Sequence, residues 1–234
     1  MEGINRSALP EGKVYLTQRM NFALIIPVLL LSIVVHEVAH AWQARREGDT
    51  TAEELGRITL NPFKHLDLWG SVLVPGMLVA SNAGILFGWA KPVPVDPRRF
   101  REHPWSDVRV SMAGIVSNLG LTVAFAGLAL AVRGMAPLLP DAIVMGAGLV
   151  AGYGIFINLL LAFFNLLPIP PLDGSHVVAH LLPPRMAASY RRFGQFGIVA
   201  LMLVMFVRPE LFTVLMSPVF WGFDAIMAFV GGAG

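Results

Sequence analysis

The chain has 234 residues, of which 56% are hydrophobic and only 14% charged, and its mean hydropathy is +0.67. These values exclude an ordinary soluble domain and predict an integral membrane protein with about five or six hydrophobic segments. A net charge of only +2 gives no indication of nucleic-acid binding, and the absence of cysteine excludes disulfides, thiol catalysis and Cys-rich zinc fingers.

The first apolar run predicts a membrane-spanning helix. Asn21 is placed to cap it, Pro27 to kink it, and the helix continues to about Gln43. Arg45 and Arg46 follow directly and mark its exit from the membrane.

The end of this helix carries the sequence His36-Glu37-Val38-Ala39-His40. Residues four apart lie on one face of a helix, so both imidazoles can reach a single zinc ion, and Glu37 then lies beside the metal. A carboxylate in that position can take a proton from a zinc-activated water, which is the chemistry of zinc hydrolases. The alternative is a pair of histidines that only make hydrogen bonds within a helix bundle.

The region after the first helix is mixed in character. Residues 47–67 are polar and predict a surface loop. Residues 68–87 are apolar but interrupted by Gly, Pro and Asn, which favours a re-entrant segment over a spanning helix. The proline-rich residues 88–97 predict a small extended or β element at the membrane interface.

Two further spans are predicted, over residues 108–132 and 142–167, and both are rich in small residues that permit close helix packing. Prolines then break the chain just before Asp173, and a short interfacial helix is expected after it. Two more apolar stretches, 193–207 and 211–230, are separated only by Arg208-Pro209-Glu210 and are candidates for a substrate gate.

Two histidines leave a catalytic zinc site one protein ligand short. A third His in the usual longer motif would need His at the position of Arg46, and Glu53 and Glu54 lie in a loop without the expected context. Asp173 is the best remaining candidate, because an acid at a broken helix end near membrane depth is costly unless it has a partner such as a metal.

This ligand set requires a particular membrane topology. If residues 68–87 are re-entrant, the two histidines and Asp173 lie on the same side of the membrane. In that topology 12 of the 17 Lys and Arg residues are in loops on this side. If the segment crosses the membrane, the Lys and Arg residues divide 11 to 6 between the two sides. The re-entrant topology is favoured, and it predicts an extracytoplasmic N-terminus and a zinc site nearer the cytoplasmic face.

With these residues identified, the chain resembles the site-2 protease family of intramembrane zinc metalloproteases, in its short form without PDZ or CBS domains. The resemblance covers most of residues 21–180. It rests on four segments: His36 to His40, Phe87 to Val95 (FGWAKPVPV), Ala113-Gly114 through Asn118, and Asn165 to Gly174 (NLLPIPPLDG). The chain departs from the common pattern at Ile115, where Pro is frequent, and at His176, where Arg is common.

The resemblance implies an all-α membrane protein with one catalytic domain over 1–234, in which 21–180 is the catalytic core and 185–234 holds accessory helices. It implies one Zn²⁺ per chain, bound by His36, His40 and Asp173, with Glu37 as the catalytic base. Asn118 would help to hold the substrate carbonyl or oxyanion. The implied reaction is regulated intramembrane proteolysis, cleavage of a peptide bond within or near a transmembrane segment of a protein substrate, in a multi-pass protein of the cell membrane.

Other residues have two interpretations. Val93 and Val95 lie in the extended segment, which is either a strand edge that pairs with unwound substrate or a plain interfacial connection. Asn165 is either structural or faces the substrate. His176 and His180, four residues apart, are favoured as ordinary interfacial histidines over a second metal site.

Two other functions compete with proteolysis. A zinc or divalent-metal transporter also needs intramembrane His and Asp, although it would distribute them along a pore on several helices. A catalytically inactive scaffold would keep the fold without the chemistry. The presence of Glu37 beside His36 argues against both, and the sequence pattern indicates no oligomeric state.

Overall fold

The computed structural model describes residues 11–80 and 90–232, and within these two ranges all regular secondary structure is helical. In chain order the helices are α1 (Glu11–Arg46), α2 (Thr51–Glu54), α3 (Val74–Ala80), α4 (Trp105–Met135), α5 (Asp141–Leu166), α6 (Gly174–Leu181), α7 (Pro184–Arg192), α8 (Gly194–Val207), α9 (Pro209–Leu215) and α10 (Ser217–Gly231). Short 3₁₀ or π-helical turns occupy Pro62–Lys64, Leu68–Leu73, Pro97–Arg99 and Ala136–Leu138.

Three helical stretches are long and apolar enough to cross a membrane: Ala23–Arg46, Trp105–Leu138 and Asp141–Leu166. A fourth span results if α9 and α10, which meet at an angle of 52°, count as one broken helix. The described residues therefore give three or four spanning helices, where composition allowed about five or six. The chain is a membrane protein whose described residues are all-α.

The start of the first helix was predicted wrongly. Helix α1 begins at Glu11, so Asn21 lies inside the helix and is not its cap. The residues before Asn21 include good helix formers such as Leu16 and Gln18, and one Asn in a helix interior costs only a few tenths of a kcal/mol, up to about 0.7. Pro27 lies within the helix as predicted.

The spanning helices form one bundle, in which α4 packs along α5 and both contact α1. Buried Val28, Phe125, Ile155 and Ile157 form the apolar centre between them. Gly154 is needed there, because a Cβ at this position would lie 2.2 Å from the Phe125 ring. Small residues therefore set how closely the helices approach one another.

Helix α4 begins at the end of the bundle where α1 finishes. Glu47, the residue after α1, pairs with Arg109 in the second turn of α4, at 2.7 Å. The chain between them leaves and re-enters the bundle at one end. The described part of the predicted re-entrant segment is the turn Leu68–Leu73 followed by α3, and residues 81–87 lie outside the described residues.

The proline-rich segment lies against this same end of the bundle. Its described part, residues 90–96, has no regular secondary structure, and Trp89 lies outside the described residues. The Lys91 N–H donates to the His65 carbonyl at 2.9 Å, and the Asp96 N–H donates to Asp49 Oδ2 at 2.7 Å. The β element predicted here stays a prediction.

The last predicted apolar stretch, 211–230, is not one helix. It divides into α9 and α10 at Met216, which is 1% exposed and packs in a cluster with Leu167, Leu201 and Val219. Pro218 lies in the first turn of α10, where its missing N–H and fixed φ favour a helix start and oppose continuation of α9. The predicted 193–207 stretch is confirmed as α8.

The contact between α1 and α4 includes a buried, fully hydrogen-bonded carboxylate. Arg109 binds both Glu47 oxygens at 2.7 Å, Ser106 donates to Oε2 at 2.7 Å, and Gln43 donates to Oε1 at 2.6 Å. The Arg109 guanidinium lowers the pKa of Glu47 from 4.5 to about 2, with help from Ser106 and Gln43, although burial acts in the opposite direction.

This carboxylate makes the stability of the protein sensitive to acid. Because its pKa is lower in the folded state, the stabilisation is complete above pH 4.5 and is lost as the pH falls towards 2. Glu47→Gln is expected to lower the free energy of unfolding at pH 7 by about 1–3 kcal/mol, allowing for the half-exposed Arg109. In the variant, stability should fall less steeply with pH between 4.5 and 2. Thermal unfolding in detergent against pH measures this. Glu53→Gln, at an exposed pair with Arg45, is the control and should change little.

Candidate metal centre

Three ligand atoms converge where α1 meets the start of α6. His36 Nε2 lies 3.0 Å from His40 Nε2, and Asp173 Oδ2 lies 3.2 and 3.3 Å from these two nitrogens. With zinc–ligand bonds of about 2.0–2.1 Å, the edges of a tetrahedral site are about 3.3 Å long. The three atoms therefore outline one face of a tetrahedron.

The other nitrogen of each imidazole is held by the protein. His40 Nδ1 lies 2.7 Å from the Val110 carbonyl, and His36 Nδ1 lies 2.5 Å from Asn118 Oδ1. A carbonyl oxygen only accepts, so each Nδ1 carries the hydrogen and each Nε2 has a free lone pair. This is the arrangement in which an imidazole binds a metal.

The residues present fit a divalent cation. Asp173 Oδ2 is buried and has no hydrogen-bond partner, yet it faces two imidazole lone pairs. Three lone pairs this close repel one another unless a cation lies between them, and two nitrogens with one carboxylate oxygen suit zinc.

Asp173 owes its position to a close approach of two helices. Helix α5 ends at Leu166, prolines prevent its continuation, and α6 begins at Gly174. A Cβ on Gly174 would lie 2.1 Å from the Leu166 carbonyl oxygen, so only glycine allows α6 to start here. The backbone thus delivers the Asp173 carboxylate to the two histidines.

Gly114 has a similar function on α4. A Cβ there would lie 2.5 Å from both His36 Cε1 and His40 Nε2. Helix α4 therefore passes directly beside the two ligand imidazoles, and the absence of a side chain leaves room for them and for a metal.

The Glu37 carboxylate is half-buried and is held from outside the helix. Its Oε2 accepts a hydrogen bond of 2.8 Å from the backbone N–H of Val93. Val93 is buried against Ala41 and Ala52. The Val93 N–H is therefore engaged within the protein, and the strand-edge role of Val93 stays a prediction. Val95 packs its side chain towards the α1–α4 contact.

The predicted oxyanion role of Asn118 does not agree with its surroundings. The side chain is wholly buried, and its amide donates to Asn158 Oδ1 at 2.8 Å and to the Ser32 carbonyl at 3.3 Å. With both hydrogens used inside the bundle, none is left for a substrate. Asn165 is half-buried and donates one hydrogen to the Leu161 carbonyl at 2.9 Å, one helical turn earlier.

The second histidine pair, His176 and His180, contacts a carboxylate on α4. His176 Nδ1 and His180 Nε2 both contact Asp107 Oδ2, at 3.1 and 2.6 Å. In the described ranges, His36, His40 and Asp173 are the one group close enough to hold a metal. The Asp107 contacts instead fasten α6 to α4.

Sequence reasoning missed Asp107, Asn158 and Ser32. The signal for Asn158 was present, since an amide in the middle of an apolar span needs partners. Its partners are on other helices, and one sequence does not reveal them.

Known proteins that are similar to this chain identify its family. The model of "Peptidase family M50" matches residues 134–208, which include Asp173. YwhC of Bacillus subtilis is 42% identical over 187 residues, which are 79% of this chain and 80% of YwhC. The chain belongs to peptidase family M50, the site-2 protease family.

Two other relatives are less similar in sequence. Rip2 of Mycolicibacterium smegmatis is 32% identical over 207 residues, 87% of this chain and 74% of Rip2. Rip2 of Mycobacterium tuberculosis is 32% identical over 205 residues, with the same coverage of 87% and 74%. All three relatives carry the name "putative zinc metalloprotease". No solved structure is a significant match. Family membership and the apolar helices identify the chain as a membrane metalloprotease that uses zinc.

Proposed function

We propose that this protein is an intramembrane zinc endopeptidase that cleaves a peptide bond within or near a transmembrane segment of a substrate protein, as in regulated intramembrane proteolysis. The observation that carries the proposal is the convergence of His36 Nε2, His40 Nε2 and Asp173 Oδ2 within 3.0–3.3 Å of one another, with Glu37 on the same helix as the two histidines.

The residues divide the work as follows. His36, His40 and Asp173 hold one zinc ion per chain, which supplies Lewis-acid activation of water and of the peptide carbonyl. Glu37 takes the proton from the attacking water and delivers it to the leaving amine. Among the described residues, one amide hydrogen and the Oδ1 of Asn165 have no hydrogen-bond partner. Asn165 and Val95 are the remaining substrate-binding candidates.

A membrane placement accompanies this proposal. The N-terminus is extracytoplasmic, residues 68–87 are re-entrant, and the zinc site lies nearer the cytoplasmic face of the cell membrane. The proposal is supported by the 12 of 17 basic residues in loops assigned to that face and by the Glu47–Arg109 contact, which joins the end of α1 to the start of α4. Helices α7 to α10 are the proposed gate for a transmembrane substrate.

Metal transport is the competing function for the same residues. An ion pathway needs successive sites, whereas the described residues hold one group able to bind a metal. The test uses purified protein in liposomes with a transmembrane peptide substrate, and measures both cleavage and zinc flux. Cleavage that stops with a chelator and returns with zinc supports the protease, and zinc flux without cleavage contradicts it.

Asp173→Asn is expected to remove zinc from the protein and cleavage with it. The amide is a much weaker ligand than the carboxylate, so the loss of zinc affinity should exceed the roughly 100-fold cost of losing an outer hydrogen-bond partner. Metal analysis and chelator competition measure the affinity. Asp141→Asn, at the start of α5, is the matched control and should retain one zinc. An Asp173→Asn protein with normal zinc content would contradict the ligand assignment.

A further inference from the structure

A layer of polar side chains crosses the centre of the bundle behind the zinc ligands. Ser32 on α1, Asn118 on α4 and Asn158 on α5 are each 0% exposed, and all three lie within apolar helices. Buried amides in such surroundings are costly unless every hydrogen and oxygen is paired. Every side-chain hydrogen and oxygen of these three residues has a hydrogen-bond partner, and the partners allow each amide only one orientation.

The orientation of the amides is fixed first at Asn158. Its Nδ2 donates to the Gly154 carbonyl at 2.8 Å and to Ser32 Oγ at 2.9 Å. The Ser32 hydroxyl in turn donates to the Val28 carbonyl at 2.8 Å, so its oxygen is left to accept. Because a carbonyl cannot donate, the Asn158 amide cannot be reversed, and its Oδ1 must face Asn118.

Asn118 transmits this orientation to the zinc ligand. Its Nδ2 donates to Asn158 Oδ1 and to the Ser32 carbonyl, and therefore its Oδ1 faces His36 Nδ1 at 2.5 Å. An amide oxygen only accepts, so His36 must carry its hydrogen on Nδ1. The lone pair is then on Nε2, which faces His40 and Asp173.

We infer that Asn158 is a positioning residue which, through Asn118, fixes the tautomer of His36 and so sets the zinc affinity of the site. The inference rests on the proposed zinc site. His40 needs no such relay, since the Val110 carbonyl fixes its tautomer directly. Without the Asn158 acceptor, Asn118 keeps only its longer bond to the Ser32 carbonyl, at 3.3 Å, so the reversed amide becomes more populated. In that orientation Nδ2 faces His36 Nδ1 and moves the imidazole hydrogen to Nε2, where it opposes metal binding.

Two variants remove the acceptor at this position. Asn158→Leu keeps much of the side-chain volume, whereas Asn158→Ala leaves a cavity. An effect that both variants show is therefore due to the lost acceptor and not to a change in packing. Each is expected to lower zinc affinity by about 10–100-fold in competition with a chromogenic chelator. Thr122→Val is the matched control. It deletes a buried hydroxyl that donates to the Asn118 carbonyl at 3.0 Å and leaves the side-chain relay intact, and its affinity should stay near that of the wild type.

A second measurement separates tautomer control from general loosening. Nitrogen-15 NMR of histidine-labelled, metal-free protein reports which His36 nitrogen carries the hydrogen. It should be Nδ1 in the wild type and in Thr122→Val, and a mixture in the Asn158 variants. Folded Asn158 variants with wild-type zinc affinity, or with weaker affinity but an unchanged tautomer, would overturn the inference. An equal loss in Thr122→Val would do the same.

Two further outcomes are distinguishable. If both Asn158 variants fail to give monodisperse protein, Ser32→Ala takes their place, since it removes one of the two acceptors that orient Asn158. A several-fold loss of affinity is then expected, and no loss would reject the relay. If the wild type itself binds no zinc at His36, His40 and Asp173, the proposed function fails, and the NMR measurement still tests the relay.

Discussion

Replacing Glu37 with glutamine is expected to reduce cleavage of a transmembrane substrate by about 10²–10⁴-fold while the protein keeps its zinc. Glutamine has the same shape and still offers an oxygen to the Val93 N–H, so the hydrogen bond of 2.8 Å can persist. It cannot accept a proton at neutral pH, and the attacking water loses its base. The effect should appear in kcat with little change in KM, because the missing interaction is with the reacting proton.

Zinc content and steady-state kinetics are measured on the same Glu37→Gln preparation. Glu53→Gln on α2 is the control, since this exposed carboxylate pairs with Arg45 and should leave both quantities unchanged. Full cleavage by zinc-loaded Glu37→Gln would mean that another group is the base. Loss of zinc in the variant would mean that Glu37 acts through the metal site and not on water.

Replacing Gly114 with alanine is expected to abolish zinc binding and, with it, cleavage. The added methyl carbon would lie 2.5 Å from His36 Cε1 and from His40 Nε2, far inside contact distance. Two of three ligands must move, whereas Asp173→Asn weakens only one. The expected zinc content is close to none per chain at metal concentrations that fill the wild type.

Gly120 provides a matched control on the same helix. A Cβ at Gly120 meets nothing within 4 Å, so Gly120→Ala makes the same chemical change without a collision. It should bind zinc normally and be at least as stable, because alanine is the better helix former. Metal analysis after size-exclusion chromatography, with helicity from circular dichroism, checks both variants. A helical Gly114→Ala protein with one zinc would show that α4 can move away from the histidines.

The parts of the molecule that were predicted from sequence depend on local geometry. The His36–His40 spacing needs only a helix, and apolar length alone locates α4 and α5. Asp173 was found because an acid at membrane depth must have a partner. The structure brings all three ligand side chains together.

The parts that were missed depend on contacts between distant residues. Asn118 was assigned to the substrate, but Asn158, on another helix, uses its amide hydrogen. Val93 was assigned to a strand edge, but its N–H binds Glu37, 56 residues earlier. The break at Met216 had a local signal in Pro218, which the apolar length of the stretch obscured. Contacts between distant parts of the chain determine the surroundings of Asn118 and Val93, and the periodicity of a sequence carries no information about such contacts.

The Val93 contact also makes the two oxygens of Glu37 unequal. Oε2 is tied to the Val93 N–H, whereas Oε1 has no hydrogen-bond partner among the described residues. A half-turn of the carboxylate would exchange the two atoms only by breaking that bond. In the proposed role of Glu37 as base, Oε1 is therefore the oxygen with more free lone pairs for the proton of the attacking water. Pro92 and Pro94, on either side of Val93, have no N–H with which to replace the one that holds the carboxylate.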